Sequence, residues 1–390
     1  MDIIHLPFEL WTLIVEPLDI KVQVRLIQLC KTIKDKIFIT DLCNIDKKFR
    51  RKLNGNIIKK YPYIKKLYAG WYSKIEDQDL VGLNLVELNA GYNPKIKNIN
   101  HMTNLRILDV GWNSGINDES LIGLNLVELD AYNNSKIKKI NHMTNLRKLD
   151  ASENSGINND SLVGLNLVEL DAYNNPKIKK INHMTNLRIL HAGEDCGIDD
   201  DSLVGLNLIE LDVTDNPKIK KINHMINLRK LNANENSGIE DDSLVGLNLV
   251  ELNATNNLKI KKINHMTNLR RLYIKAWCGV GDEDLIGLNL EELNASYNPK
   301  IKKINHMTNL RILNASFNSG IDDDSLIGLN LVELYAYDNP KIKKINHMTN
   351  LRILNASFNS GIDDDSLVGL NLVELNATNN LKIKKINQEN

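Results

Sequence analysis

The residues of this chain best suited to chemistry recur on a fixed spacing. A histidine in the phrase NHMTNLR, once NHMINLR, stands at 101, 142, 183, 224, 265, 306 and 347, always 41 residues after the last. Seven such histidines could suggest a metal site, and the acids repeated with them, as in GINDESLIGL, could suggest calcium. The period argues against both. If each 41-residue unit supplies two layers of a stacked sheet, successive histidines lie about 10 Å apart, whereas a zinc to nitrogen bond is about 2.0 Å. Neighbours cannot share one ion, and no EF-hand loop of the form D-x-[DN]-x-[DN]-G occurs. No metal is assigned, and the histidines read as turn residues copied with their repeat. Cys196 and Cys278 replace the serine of the NSG turn (Ser114, Ser155, Ser237). They are two periods, hence about 20 Å, apart, too far for a disulfide. Cys30 falls on an apolar helical stripe and reads as core before nucleophile. With no P-loop, GxSxG or Rossmann glycine fingerprint, the sequence points to no cofactor and no enzyme.

The elements that carry these residues follow from the same period. Each unit splits in two, since Leu105 to Leu126 is 21 residues and Leu126 to Leu146 is 20. The halves LRILDVGWN and LVELDAYNN both fit LxxLxLxxN, with Leu105, Leu108, Val110 and Asn113 in one and Leu126, Leu129, Ala131 and Asn134 in the other. Leucines at positions 1, 4 and 6 turn inward from a short strand, and the Asn at position 9 turns inward to bond backbone where the coil bends away. One coil cannot bury its apolar face alone, but stacked coils can. Continuing the phase from Ile64 to Leu372 gives sixteen candidate strands. This pattern resembles the leucine-rich repeat over residues 62 to 390. The resemblance implies an α/β solenoid with parallel strands on its concave face.

Opposite the strands the halves differ. One carries acids before Leu121 that suit a short helical turn, the other reads KIKKI with Ile137 and Ile140 inward. At matching offsets Asp199 and Asp200 face Lys179 and Lys180 on one side and Lys220 and Lys221 on the other, which predicts a mixed-charge ladder. Lys plus Arg and Asp plus Glu are 49 each, for a formal net charge of +0, so no global field favours nucleic acid or a membrane surface. No apolar run approaches the roughly 20 residues needed to span a bilayer, and the start MDIIHLPFELW lacks the pattern of a secretory signal. These features point to an intracellular protein, in cytoplasm or nucleus. At the other end KIKKINQEN shows no distinct cap, which predicts open apolar residues at Leu375, Ile383 and Ile386 and end-to-end self-association.

Residues 1 to 50 stand outside the period. Leu10, Leu13 and Ile14, then Leu26, Leu29, Cys30, Ile33 and Ile37, keep helical spacing around Pro17, and Leu42, Ile45 and Phe49 suggest a third helical stripe. The string LPFELWTLIVEPLDIKVQVRLIQLCK resembles an F-box, with Leu6, Pro7, Leu10, Ile14, Leu18, Leu26 and Cys30 at the family's positions. Val22 and Gln23 depart from its usual Asp-Leu pair, and Ile33 from its frequent Trp. The resemblance implies a small helical domain that docks on the Skp-type adaptor of a cullin-RING (SCF-type) ubiquitin ligase, followed by a linker and first-coil cap at 51–61. The alternative is a binding scaffold whose helical segment only caps the first coil. The near-identical copies and the Asn, Ile and Lys bias also resemble leucine-rich-repeat proteins of giant DNA viruses infecting amoebae, which implies action in a host cell.

Partner binding in leucine-rich-repeat proteins is expected on the concave face, at positions 3, 5, 7 and 8. Position 3 is Glu in every second-type coil, from Glu87 to Glu374. Aromatics are 5% of the chain, yet they gather at positions 5, 7 and 8 in two zones. Trp71, Tyr92, Trp112, Tyr132 and Tyr173 lie early, and Tyr273, Tyr297, Phe317, Tyr335, Tyr337 and Phe358 lie late. The middle offers Asp150, Glu153, Asp171, His191, Glu194, Asp212, Asp215 and Glu235. Because aromatics dominate protein-binding hot spots, these residues and His191 are the expected contacts to a protein substrate.

Overall fold

The computed structural model describes residues 8–15, 18, 20–29 and 38–384. They fall in two compact units, one ending at Leu187 and one beginning at Arg188. Each unit is the same short coil repeated. The first holds β1 (Asp41–Leu42), β2 (Lys66–Tyr68), β3 (Glu87–Asn89), β4 (Ile107–Asp109), β5 (Glu128–Asp130), β6 (Lys148–Asp150) and β7 (Glu169–Asp171); the second runs from β8 (Ile189–His191) to β17 (Glu374–Asn376). All strand pairs within each unit are parallel, and position 4 faces position 4, as in Leu88 with Leu108 and Leu108 with Leu129. Parallel neighbours need a crossover, and the remainder of each 20- or 21-residue coil supplies it. Sixteen of the strands are those the repeat phase predicts. β1 is additional, pairing Asp41 with Lys66 and Leu42 with Leu67.

Burial follows the pattern. Leu105, Leu108, Val110, Ile116 and Leu121 in one coil, and Leu126, Leu129, Ala131, Ile137, Ile140 and Met143 in the next, are all buried. Acids before Leu121 start a single 3-10 turn, Asp118–Leu121, and the chain leaves it through Gly123 at φ +82°, where a Cβ would be strained.

The inward polar residue differs from the sequence expectation in half of the coils. In second-type coils the position-9 Asn is buried as expected. Asn134 Nδ2 donates to the Val110 carbonyl at 2.8 Å, and its Oδ1 accepts the Lys136 N–H at 3.1 Å. In first-type coils Asn113 is exposed and Ser114 is buried in its stead. The extra residue of the 21-residue half sits in the turn and pushes position 9 outward. Cys196 and Cys278 occupy this buried serine slot. Asn216 Nδ2 lies 3.2 Å from Cys196 Sγ, as Asn257 Nδ2 lies 3.1 Å from Ser237 Oγ. Burial raises the Cys278 thiol to about 11, so it is held protonated.

The acid and lysine layers do interlock, through backbone rather than through ammonium groups. Asp118 Oδ1 accepts the N–H of Lys138 at 2.6 Å and of Lys139 at 2.9 Å. Asp200 does the same for Lys220 and Lys221, and Asn159, which carries no charge, for Lys179 and Lys180. Geometry, rather than net charge, is what the position supplies.

Toward the start, α1 (Phe8–Val15) and α2 (Ile20–Leu29) are helical. The expected third helical stripe is not one helix. Leu42 lies in β1, and only Lys47–Arg50 (α3) is helical, capped by Asp46 Oδ1 on the Phe49 N–H. Strand pairing to β2 takes Leu42 into the sheet's core and overrides the helical spacing. Near the other end Leu375 is partly exposed, but Ile383 is buried, contrary to expectation, because the turn after β17 is tied to the coil before it, Asn380 Nδ2 donating to the Ala356 and Ile362 carbonyls at 2.7 and 3.0 Å. Ile386 lies outside the described residues.

Candidate recognition surface

Strand residues at positions 3 and 5 point away from the core, and the turn that follows presents positions 7 and 8. In the fifteen coils from Tyr92 to Asn379 the position-8 residue has φ between 49° and 61°. Asn133, Asn174, Asn256 and Asn379 suit that left-handed backbone. Tyr92, Trp112, Tyr297, Phe317 and Phe358 do not, since a side chain there costs about 1–2 kcal/mol. Bulky rings therefore stand where the turn itself favours asparagine.

Those rings form two stacks. In the first unit Trp71 lies 5.2 Å from Tyr92, Tyr92 5.1 Å from Trp112, and Trp112 5.0 Å from Tyr132, between ring centroids. In the second, Tyr297 lies 3.9 Å from Phe317, and Phe317 and Phe358 each lie 4.7 Å from Tyr337. Trp71 is 52% exposed. Coil spacing brings these eight residues together by placing one ring in each successive layer. The remaining expected contacts are half-buried: Tyr173 in the first unit and His191, Tyr273 and Tyr335 in the second. Tyr273 and Tyr335 take no part in the second stack. Their hydroxyls donate to Glu292 at 3.0 Å and Glu333 at 2.9 Å, and burial, then these carboxylates, raise both phenols, Tyr273 to about 12.

Two exposed aromatics in the turns that follow the strands escaped the sequence reading. Tyr72 stacks on Trp71 at 4.5 Å, and Trp277 is 81% exposed. Both occupy position 9 of first-type coils, which the asparagine rule sends inward. The one-residue difference between 21 and 20 was the signal that could have placed them outward.

Beside the first stack runs a column of carboxylates at position 5: Asp109, Asp130, Asp150 and Asp171. Asp130 Oδ1 accepts the Tyr132 N–H at 2.9 Å and Asp109 Oδ1 the Gly111 N–H at 3.0 Å. Burial, then repulsion from Asp109, raises Asp130 to about 7, with Asp150 and Asp171 adding to it. Stack and column enclose an open groove of about 390 Å³. At position 3 the glutamates pair across strands with the basic residues: Lys148 with Glu169 at 3.1 Å, Lys230 with Glu210 at 3.2 Å, and Arg271 with Glu251 through two nitrogens at 2.8 and 2.6 Å.

The repeated histidines have a structural role. Nε2 of His142, His306 and His347 lies 3.1–3.2 Å from the carbonyl oxygen that ends the preceding coil's helical turn, Leu121 for His142. Among the described residues no group of three or more His, Cys, Asp or Glu is placed to hold a metal ion. Of the residues matched to the F-box, Leu10 and Ile14 are exposed on α1 at 44% and 48%, with Trp11 and Val15 buried on its other side. Leu18 and Leu26 are half-buried. Leu6, Pro7 and Cys30 lie outside the described residues. No described helix is long and apolar enough to cross a membrane.

Among solved structures, the chain is similar to TLR13 in its complex with ssRNA13, at 15% identity and a TM-score of 0.50, over 88% of this chain and 73% of that one. Its coils are leucine-rich repeats. Matches with lower scores include a leucine-rich-repeat protein of Leptospira interrogans, at 17% identity and a TM-score of 0.44 over 81% and 91% of the two chains. The yeast complex of Rad7 and Elc1 gives 16% identity and 0.43 over 94% and 92%. No protein-family model matches the sequence, and no curated protein matches it. The leucine-rich repeats thus rest on the fold and on the sixteen in-phase motifs.

Proposed function

We propose that this leucine-rich-repeat chain is a non-catalytic recognition scaffold that holds a protein partner against the solvent face of its sheet. The observation that carries this reading is the pair of aromatic stacks, Trp71 to Tyr132 and Tyr297 to Phe358, in which a ring stands in each of four successive layers and five rings stand on left-handed turns that other coils fill with asparagine, aspartate, glutamate or alanine. Rings stacked from layer to layer on a solvent face are explained by what they touch outside the chain. The carboxylate column beside the first stack opposes a phosphate backbone, which favours a protein over a nucleic acid. Cross-linked capture, compared between wild type and the Trp112→Ala and Tyr337→Ala variants, tests the reading. A partner held by wild type and lost by both supports it, and partners retained by both variants refute it.

A second reading makes the scaffold the substrate-recognition subunit of an SCF-type ubiquitin ligase, its partner then being the substrate. What favours it is α1, where Leu10 and Ile14 stay exposed while Trp11 and Val15 are buried. Those two exposed residues stand at F-box docking positions. Purified Skp-type adaptor should then bind the full chain, and Leu10→Ala with Ile14→Ala should remove that binding while the repeats stay folded. Failure of wild type to bind removes the ligase role and leaves a scaffold whose helices cap the first coils.

A further inference from the structure

The groove of the first unit has a floor without side chains. Position 7 is glycine in three successive coils, Gly70, Gly91 and Gly111, and the last two line the groove, so bare backbone lies between the carboxylates at position 5 and the rings at position 8. Neither of these two is needed for a left-handed turn. A Cβ at Gly91 would stand 3.0 Å from Asp109 Oδ1, and one at Gly111 would stand 3.3 Å from the Tyr132 carbonyl oxygen and 3.4 Å from Asp130 Oδ1. Any side chain here fills the cleft. In the next coil Tyr132 itself occupies position 7 and closes that end.

The walls are complementary to one kind of group. Among the described residues neither Asp109 nor Asp130 has a cationic partner, although the position-3 glutamates beside them are paired with lysines. Asp109 accepts the Gly111 N–H on Oδ1 and the Asn89 side-chain amide on Oδ2, whereas Asp130 spends Oδ1 on the Tyr132 amide and its Oδ2 has no hydrogen-bond partner among the described residues. At the groove's first end the chain's own arginines already lie on its aromatics. The Arg50 guanidinium is 4.0 Å from the Tyr68 ring centre, and that of Arg51 is 4.9 Å from Tyr72.

We propose that this groove receives an arginine side chain from a partner protein, its guanidinium on Asp130 Oδ2 with the Asp109 charge beside it and its aliphatic stem along Trp112 and Tyr92. This rests on the scaffold reading above and names the chemistry its first stack selects. A planar guanidinium offers a fork of donors to a carboxylate, which an ammonium cannot. A long stem on apolar ring edges with a charged head beyond them is how such side chains ordinarily bury. Burial and three neighbouring carboxylates, which hold Asp130 near 7, are what an arriving cation would relieve.

The test uses the full chain and a blocked tri-arginine peptide, followed by tryptophan fluorescence, with tri-lysine and tri-glutamate peptides as comparators. Saturable binding is expected for tri-arginine, weaker by several-fold for tri-lysine and absent for tri-glutamate. Asp130→Asn and Gly111→Ala should each weaken tri-arginine by about tenfold. Asparagine already stands at position 5 in other coils, such as Asn89 and Asn253, so Asp130→Asn tests charge in a residue the fold accepts. Gly111→Ala fills the floor while leaving every charge and ring in place. No saturation into the millimolar range overturns the proposal. So does equal binding of the two cationic peptides unaffected by Gly111→Ala, which would be attraction to a field and no built site. A protein partner lost with Trp112→Ala but kept by both Asp130→Asn and Gly111→Ala would sink the arginine site and leave the scaffold reading standing.

Discussion

Trp112 lies on Tyr92 with ring centroids 5.1 Å apart and planes 16° from parallel, and both residues hold that stack from left-handed backbone, at φ 49° and 60°. Two costs and one gain meet at this pair. Relieving the backbone at one ring is worth about 1–2 kcal/mol, and losing the contacts of Trp112 with Tyr92 and Tyr132 costs about 0.5–1.5 kcal/mol each. Trp112→Asn, which installs the residue found at Asn133 and Asn174, should therefore change unfolding free energy by less than about 2 kcal/mol. Denaturant unfolding checks this. A loss well beyond that would make Trp112 a structural residue.

The buried polar rung gives a sharper stability contrast. Asn175 is fully buried, donating to the Ala151 carbonyl at 2.6 Å and accepting the Lys177 N–H at 3.1 Å. Asn154, at position 9 of the preceding coil, is exposed. Asn175→Ala should cost more than about 2 kcal/mol, since it orphans several buried backbone groups at about 1–3 kcal/mol each. Asn154→Ala should stay within about 0.5 kcal/mol. Equal costs for the two would contradict the assignment of the inward residue.

That contrast marks how far the sequence could be read. Leucine spacing places Leu108, Leu129 and their counterparts inward because strand alternation and coil stacking leave no other apolar solution. It does not reveal where a 21-residue coil hides its extra residue, so Asn113, Tyr72 and Trp277 were mislaid by one position. Helical spacing at Leu42 misled for another reason: pairing with β2 is a long-range contact that no local period encodes. Aromatic zones were legible in the sequence, but the glycine floor at Gly91 and Gly111 shows only once the strands are side by side.

The flank acids should be replaceable by their amides. Asp118 bonds the Lys138 and Lys139 amides just as the neutral Asn159 bonds those of Lys179 and Lys180. Asp118→Asn is expected to stay within about 0.5 kcal/mol of wild type, whereas Asp118→Ala should lose about 1 kcal/mol, as for a lost cap. Thermal unfolding at low and high salt separates the cases, and a large salt-dependent loss in Asp118→Asn would restore the ion-pair ladder.

Asp130 sets a pH dependence. Its folded-state pKa, about 7, lies above its ordinary 3.8, so between those values the folded unit holds a proton that the unfolded chain releases. Its contribution favours folding most below 3.8 and is lost as pH rises through about 7. Asp130→Asn should remove this slope, and should be more stable than wild type above neutrality. Identical pH profiles for the two proteins would show that Asp130 titrates normally.

If the aromatic stacks of the two units are the recognition surface, they set the affinity of a partner captured by wild type. That affinity should be measured against Trp112→Ala, Tyr337→Ala and a control, Val163→Ala, at an exposed residue following the helical turn away from the strands. Loss of an aromatic hot spot is worth about 2 kcal/mol or more, so each aromatic variant should bind about thirtyfold more weakly and the control as wild type does. Unchanged affinity in both aromatic variants, or a loss confined to Val163→Ala, would contradict that role.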